Sequence, residues 1–288
     1  MARTAPASNR VGEVLVVVLI SVLLAGSPAT AGSSPAIVTV YPAANARGLM
    51  VTTGGWAYCL QLQALARHEH YTLACGRYWK DGYVGYGLRA RRHLDWGDPA
   101  YLSDFAHKVA ALHHTIGGQL ILIGVSYSGF GIATLASHHP ELEPTRLIVI
   151  DSFLDLVARR QALPPTHPTA REIDAETGGS VAALQARNVD LEGLARLIRA
   201  GTGLTVIWSI STSEQAEFAG ATCDRTANAA TLAALAQALD RPVTAWITHS
   251  KHGHDLWDRG RAIIAGHPPG QAISFPPDGQ IPAGAICP

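Results

Sequence analysis

Apolar and polar positions alternate along this chain in blocks that predict strands and helices in turn. Short apolar runs predict strands at residues 48–53, 71–76, 120–123, 146–150, 205–209 and 243–248. Apolar residues at helical spacing predict helices between them, at residues 58–68, 101–114 and 130–139. The central strands are continuously apolar, as in parallel sheets buried on both faces. The predicted fold class is therefore α/β, with a mostly parallel central sheet and helices on both faces.

One interval breaks this alternation. More than fifty residues separate Ile150 from Thr205, and they include five helix-breaking positions: Pro164, Pro165, Pro168, Gly178 and Gly179. Residues 181–200 have the spacing of one amphipathic helix. Ordinary crossovers are much shorter, so residues 152–204 are predicted to form an insertion. The Pro- and Gly-rich tail, residues 266–288, is predicted to wrap over the surface.

The first 31 residues have the pattern of an export signal. Arg3 and Arg10 form a basic start, residues 14–25 are apolar, and residues 29–31 read Ala-Thr-Ala. The apolar run is shorter than the roughly 20 residues that a membrane span needs. We expect cleavage after Ala31 and a protein that is secreted or held in the periplasm or cell envelope. A leader retained as an anchor is the alternative.

Composition limits the class of protein and the redox compartment. The 288 residues are 48% hydrophobic and 15% charged, with zero formal net charge, which suits a globular domain and argues against a nucleic-acid partner. An even number of cysteines in an exported chain predicts two disulfides. Three pairings are possible, and we favour Cys59–Cys75, on one rim of the sheet, with Cys223–Cys287, which would staple the tail. No two cysteines are close enough in sequence to suggest zinc.

The clearest chemical signal follows the apolar run 120–123. A serine on a tight turn between strand and helix needs small residues two places before and after it. Ser126 meets this requirement, because Gly124 and Ser128 flank it. Ser128 does not, because Phe130 is too bulky. Ser126 is therefore the candidate nucleophile.

The turn around Ser126 resembles the nucleophile elbow of the α/β-hydrolase superfamily, G-x-S-x-G, with Ser128 in the place of the last glycine. By order and spacing of elements, the resemblance spans roughly residues 36–265. It implies a core of residues 32–151 and 205–265, with residues 152–204 as a lid. It also implies a serine hydrolase that cleaves a small carboxylic ester through an acyl-enzyme, without a metal or organic cofactor.

Other functions share this fold. A peptidase, a thioesterase, an acyltransferase and an inactive binding protein all remain open, because fold does not determine function.

The superfamily carries its catalytic histidine after the last strand, commonly as Gly-His. Gly253-His254 matches, so the resemblance assigns His254 as the base, with His252 second. A metal site built from His249, His252 and His254 is the poorer interpretation, since their spacing matches no familiar helical zinc motif.

The orienting carboxylate is ambiguous. Asp151 directly follows the strand 146–150 and is the favoured acid, while Glu214 and Asp224 stay open. In the superfamily, the oxyanion is bound by the N–H after the nucleophile and by one from an earlier loop. These donors would be Tyr127 and Gly55.

Overall fold

A computed structural model describes residues 36–53, 56–77, 97–209 and 224–286. Its centre is an eight-stranded sheet in the order β1-β3-β2-β4-β5-β6-β7-β8. The strands are β1 (Ile37–Tyr41), β2 (Gly48–Thr53), β3 (Tyr71–Arg77), β4 (Gln119–Val125), β5 (Arg146–Ile150), β6 (Gly203–Ser209), β7 (Val243–Thr248) and β8 (Gln271–Phe275). The six strands from β2 to β7 run parallel, and the two edge strands are antiparallel to their neighbours.

Helices connect the parallel strands to one another, and the last helix connects β7 to β8. They are α1 (Trp56–His68), α2 (Pro99–Ile116), α3 (Tyr127–His138), α4 (Leu156–Ala162), α5 (Pro168–Thr177), α6 (Val181–Ala186), α7 (Leu191–Arg199), α8 (Asp224–Leu239) and α9 (His254–Ala265). The predicted α/β class and mostly parallel sheet are confirmed.

Successive residues of each central strand point to opposite faces of the sheet, and both faces are buried. On β4, Leu120 and Leu122 join a core that also contains residues of α2, α3, α7 and α8. Ile121 and Ile123 join a second core, packed against α1 and α9. Burial on both faces explains why these strands are continuously apolar in sequence.

The two edge strands were not among the predicted elements. β1 begins at Ile37, and β8 lies in the tail that was predicted only to wrap over the surface. β8 pairs with β7, from Val243 opposite Phe275 to Ile247 opposite Gln271. The expectation that residues 243–248 form the last strand is therefore wrong. Phe275 is fully buried, so this part of the tail belongs to the core.

The interval 152–204 contains four helices. The prediction of a single helix over residues 181–200 is wrong, because two helices lie there. α6 ends at Ala186. Asp190 then caps the N-terminus of α7, because its side chain accepts hydrogen bonds from the N–H groups of Glu192 and Gly193. Leu194 of α7 is fully buried in the same core as α3 and α8. α7 is thus an ordinary crossover helix, and only α4 to α6 are additional to the sheet-and-helix core.

A disulfide joins Cys59 on α1 to Cys75 on β3, which confirms one of the two predicted bridges. The other predicted pair, Cys223 and Cys287, lies outside the described residues. Within the described ranges, no helix has the length and apolar character needed to cross a membrane.

Candidate active site

Four polar segments meet at one edge of the sheet, because parallel strands all end on the same side. Ser126 follows β4, Asp151 follows β5, Ser209 ends β6, and the turn before α9 follows β7. After β3 the chain crosses to the opposite side of β2 to form β4, so the strand order reverses between β2 and β4. Ligands of open α/β sheets bind in the crevice outside such a reversal. Ser126 lies beside that crevice.

Ser126 occupies a strained turn. Its φ of 55° and ψ of −131° form a conformation that non-glycine residues rarely adopt. A Cβ on Gly124 would lie 2.4 Å from the carbonyl oxygen of Ser128, so the turn closes only with glycine there. Ser126 N–H donates to Ile150 O at 2.8 Å, and Gly129 N–H donates to Ser126 O at 2.9 Å. These contacts hold the serine at the junction of β4 and α3.

Ser128 has a different environment from Ser126. It is buried, and its Oγ accepts a 2.9 Å hydrogen bond from Val125 N–H. Its carbonyl oxygen accepts a 3.1 Å hydrogen bond from Thr53 Oγ1 at the end of β2. Ser128 thus stabilises the turn through buried hydrogen bonds, whereas Ser126 is partly exposed.

Tyr127 is the first residue of α3. Its N–H lies at the start of a helix, before the intrahelical hydrogen bonds begin, and is positioned to bind negative charge. The other predicted oxyanion donor, Gly55, lies outside the described residues, as does the alternative acid Glu214. Asp224, the third candidate acid, begins α8.

Asp151 is held by hydrogen bonds from two other strand ends. Its φ of 48° is left-handed, which aspartate tolerates better than most residues. Oδ1 accepts from Ser209 N–H at 2.5 Å, and Oδ2 accepts from Ser209 Oγ at 2.8 Å and from Gly253 N–H at 2.6 Å. The carboxylate is buried, and its hydrogen bonds fix its orientation towards the turn that follows β7.

The structure brings His252, not His254, to this carboxylate. Nδ1 of His252 lies 4.0 Å from Asp151 Oδ2. His254 is exposed as the first residue of α9, on the far side of Gly253, whose φ is 71°. The structure thus places His252, the second choice, beside Asp151, and it leaves the favoured His254 exposed at the start of α9.

Burial and neighbouring charges shift the pKa values of both Asp151 and His252. Burial raises the pKa of the Asp151 carboxyl, while His252 and hydrogen bonds from Gly253 and Ser209 oppose that rise. Burial lowers the pKa of the His252 imidazole, Asp151 opposes this effect, and the Arg159 guanidinium adds to it. A lowered pKa keeps His252 neutral near pH 7, which is the form that can accept a proton.

A second buried carboxylate supports the site and was missed by sequence reasoning. Asp255 accepts hydrogen bonds from Thr248 Oγ1 at 2.5 Å, from Ser250 Oγ, and from Ser209 Oγ at 3.3 Å. Ser209 therefore lies between the carboxylates of Asp151 and Asp255. The only signal in the sequence was the set of short polar residues around the ends of β6 and β7, which is common in loops.

Asn228 of α8 is the other supporting residue that the sequence did not indicate. It is fully buried, its Oδ1 accepts from Leu154 N–H at 2.5 Å, and its Nδ2 donates to Ser152 O at 2.6 Å. These bonds satisfy the backbone just after Asp151, where the chain leaves the sheet. Asn228 thereby holds the segment that follows Asp151.

Within the part of the chain that the structure describes, no three His, Cys, Asp or Glu residues are grouped so that they could hold a metal ion. His249, His252 and His254, the alternative metal ligands, are all described and form no such group. What the arrangement offers chemically is a serine, an imidazole and a carboxylate at adjacent strand ends.

No protein-family model matches this chain, and no curated protein matches it in sequence. Several solved structures are similar to it in fold. A puromycin-hydrolysing peptidase from Mycobacterium tuberculosis matches with a TM-score of 0.50 and 14% identity, over 83% of this chain and 38% of that one. A proline iminopeptidase from Mycobacterium smegmatis has a TM-score of 0.44 and 16% identity, over 80% and 91% of the two chains.

An esterase from Pyrococcus furiosus is also similar, with a TM-score of 0.42 and 12% identity, over 77% of this chain and 80% of that one. At such identities the likeness concerns the fold alone. The likeness to the puromycin-hydrolysing peptidase, together with the strand order and the turn at Ser126, supports the α/β-hydrolase fold.

Proposed function

We propose that this protein is a serine hydrolase that cleaves a carboxylic ester, with Ser126 as nucleophile, His252 as base and Asp151 as the orienting acid. The observation that carries the proposal is the Asp151–His252 pair, 4.0 Å apart, on the same sheet edge as the strained turn at Ser126. Sites of this type are recognised by geometry and roles rather than by sequence position. The α/β-hydrolase fold, shared with proteins named as an esterase and as peptidases, supports a hydrolase.

The proposed reaction is a double displacement. His252 accepts the Ser126 hydroxyl proton as the serine oxygen attacks the ester carbonyl carbon. Asp151 stabilises the imidazolium that forms. The Tyr127 N–H, with Gly55 as the proposed second donor, binds the oxyanion, and one such donor contributes roughly 3 kcal/mol.

The tetrahedral intermediate then expels the alcohol, which takes the proton from His252 and leaves an acyl-Ser126 ester. Water attacks this ester while His252 accepts the water proton. Collapse of the second intermediate returns the proton to Ser126 and releases the carboxylic acid.

We further propose that the protein is exported after cleavage of residues 1–31. The Cys59–Cys75 disulfide supports this proposal, because disulfides persist in oxidising compartments. The proposed substrate is a small molecule that enters the crevice at the carboxyl ends of β2 and β4.

A fluorophosphonate probe tests the nucleophile directly. The mature protein should be labelled at Ser126, and Ser126→Ala should abolish labelling and the hydrolysis of p-nitrophenyl esters without unfolding the protein. Ser128→Ala is the matched control, because that serine has a buried structural contact instead. It should still be labelled. Labelling of Ser126→Ala, or loss of labelling in Ser128→Ala alone, would reject the assignment. A matching panel of aminoacyl amides tests whether esters are preferred.

A further inference from the structure

A cavity of about 960 Å³ lies beside the last two strands, next to the candidate active site. Its described lining comes from the end of β7 and the loop after it, from β8 and the tail beyond it, from the first turn of α8 and from α9. The side chains that could bind a charged group are Arg225, Arg259, His249, Ser250 and Asp255. Nothing in the proposed ester hydrolysis uses this cavity.

Arg225 is the unusual member of this lining. Only 8% of the residue is exposed, and its Nη1 donates a 3.0 Å hydrogen bond to the Gly284 carbonyl oxygen. Its Nε is buried and has no hydrogen-bond partner among the residues that the structure describes. Burial lowers the pKa of Arg225, and no described carboxylate offsets that effect. A guanidinium removed from water in this way is costly unless an anion pairs with it.

The acidic side chain that also lines the cavity is already engaged. Asp255 accepts hydrogen bonds from the hydroxyls of Thr248 and Ser250, which hold its carboxylate at the end of β7. Arg259 lies one turn further along α9 and is exposed, so the second guanidinium of the lining is accessible from solvent. The cavity therefore combines a buried and an accessible guanidinium.

We propose that this cavity binds the carboxylate or phosphate group of a small molecule. Arg225 would supply a fixed, pre-desolvated donor, and Arg259 would close on the anion from the solvent side. Arginine suits this role because its planar fork binds both kinds of oxyanion in a bidentate manner. The carbonyl oxygen of Gly284 orients Arg225 and leaves other donors of the guanidinium for the ligand.

The test uses inorganic phosphate and citrate as probes on the mature protein, with calorimetry and thermal unfolding at constant ionic strength. Both anions should bind saturably and raise the unfolding temperature more than chloride does. Arg259→Gln should weaken binding about tenfold, the loss of one charge-assisted contact. Because Arg259 is exposed, this variant should fold normally.

Arg196→Gln is the matched control, because Arg196 is an exposed helical arginine outside the cavity lining. It should bind like the wild type. Arg225→Lys keeps the positive charge but removes the planar guanidinium that allows bidentate contact, so it should also weaken the binding of both anions. The proposal would be overturned if phosphate and citrate raised the unfolding temperature no more than chloride does. It would also be overturned if the wild type, Arg259→Gln and Arg225→Lys bound these anions equally.

Two sources of the anion can be separated with the same probes. If phosphate competes with ester substrates, the bound group is part of the substrate; if it binds without competing, the ligand is a separate small molecule. Binding should persist in Ser126→Ala, so the cavity can be tested even if the proposed hydrolysis fails.

Discussion

Gly253 and Asp151 are joined by a 2.6 Å hydrogen bond from the backbone N–H of Gly253 to Oδ2 of Asp151, across 102 residues of sequence. Gly253 lies between two histidines in a left-handed conformation. The bond anchors the turn so that His252 lies beside the carboxylate and His254 begins α9 in solvent. One glycine and its hydrogen bond thus determine which of the two histidines lies beside Asp151.

His252→Gln should reduce kcat/KM for ester hydrolysis by about 10⁴-fold, because the serine would lose the group that accepts its proton. Hydrolysis of p-nitrophenyl esters and the rate of fluorophosphonate labelling measure the effect. His254→Gln, at an exposed position two residues away, is the control and should remain near wild-type activity. A collapse of activity in His254→Gln with an active His252→Gln would restore the original choice.

The pH profile should report the lowered pKa of His252. A protonated imidazole cannot accept the Ser126 proton, so kcat/KM should fall as the pH falls through that pKa. The midpoint of this fall in activity, the acid limb of the profile, should therefore lie below pH 6.5, the ordinary pKa of histidine. Arg159→Gln should move the limb upward, because the guanidinium disfavours the imidazolium, and Arg159→Lys should move it less. A limb above pH 6.5 in the wild type would contradict the described environment.

The sequence predicted the central sheet and the turn at Ser126 because both depend on local patterns. Continuous apolar runs require burial on both faces, and small residues around a serine permit one tight turn. The edge strand β8 was missed because its alternating residues lie within a Pro- and Gly-rich tail. Its pairing with β7 is a tertiary contact that no local pattern encodes.

The positions of the candidate acid and base were harder to predict for the same reason. Asp151 was favoured over Glu214 and Asp224 on position alone, although the orientation of its carboxylate depends on hydrogen bonds from Ser209 and Gly253, far away in sequence. The side to which a histidine turns depends on the φ of its neighbour, which residue spacing does not determine.

Asn228→Ala should destabilise the protein by about 2–3 kcal/mol, because it leaves Leu154 N–H and Ser152 O buried without their partner. Urea unfolding measures the loss. Ester hydrolysis should also fall, since these groups lie just after Asp151. Gln237→Ala is the control, because Gln237 is an exposed amide on the same helix that donates to Asp278 O. It should change stability by less than about 0.5 kcal/mol. Equal effects of the two variants would refute a special role for Asn228.

The exported protein should begin at Gly32 and contain two disulfides. Its intact mass should match residues 32–288 less four hydrogens. The Cys59–Cys75 bridge closes a loop of 16 residues, so replacing both cysteines by alanine should cost about 3 kcal/mol. A mass that includes residues 1–31 would indicate a retained anchor. Two alkylatable thiols under non-reducing denaturation would exclude the Cys223–Cys287 pair.

The segment from α4 to α6 should act as a lid that sets substrate choice, whereas α7 belongs to the helix layer. A bidentate ion pair joins the first two of these helices: Arg160 Nε and Nη2 donate to Asp174 Oδ1 and Oδ2, both at 2.6 Å. Both side chains are partly exposed, so the pair contributes at most about 1 kcal/mol to stability. Its main effect should be to hold α4 against α5.

Arg160→Gln should therefore leave the unfolding temperature nearly unchanged, yet shift the ratio of kcat/KM between long-chain and short-chain p-nitrophenyl esters several-fold. Because Arg159 of the same helix also acts on His252, the ratio between chain lengths, and not kcat/KM for one ester, is the readout of the lid. Arg171→Gln, which removes an exposed guanidinium on α5 that donates to the Thr166 carbonyl oxygen, is the matched control. If both variants keep the wild-type chain-length preference while activity is intact, the segment is a spacer rather than a lid.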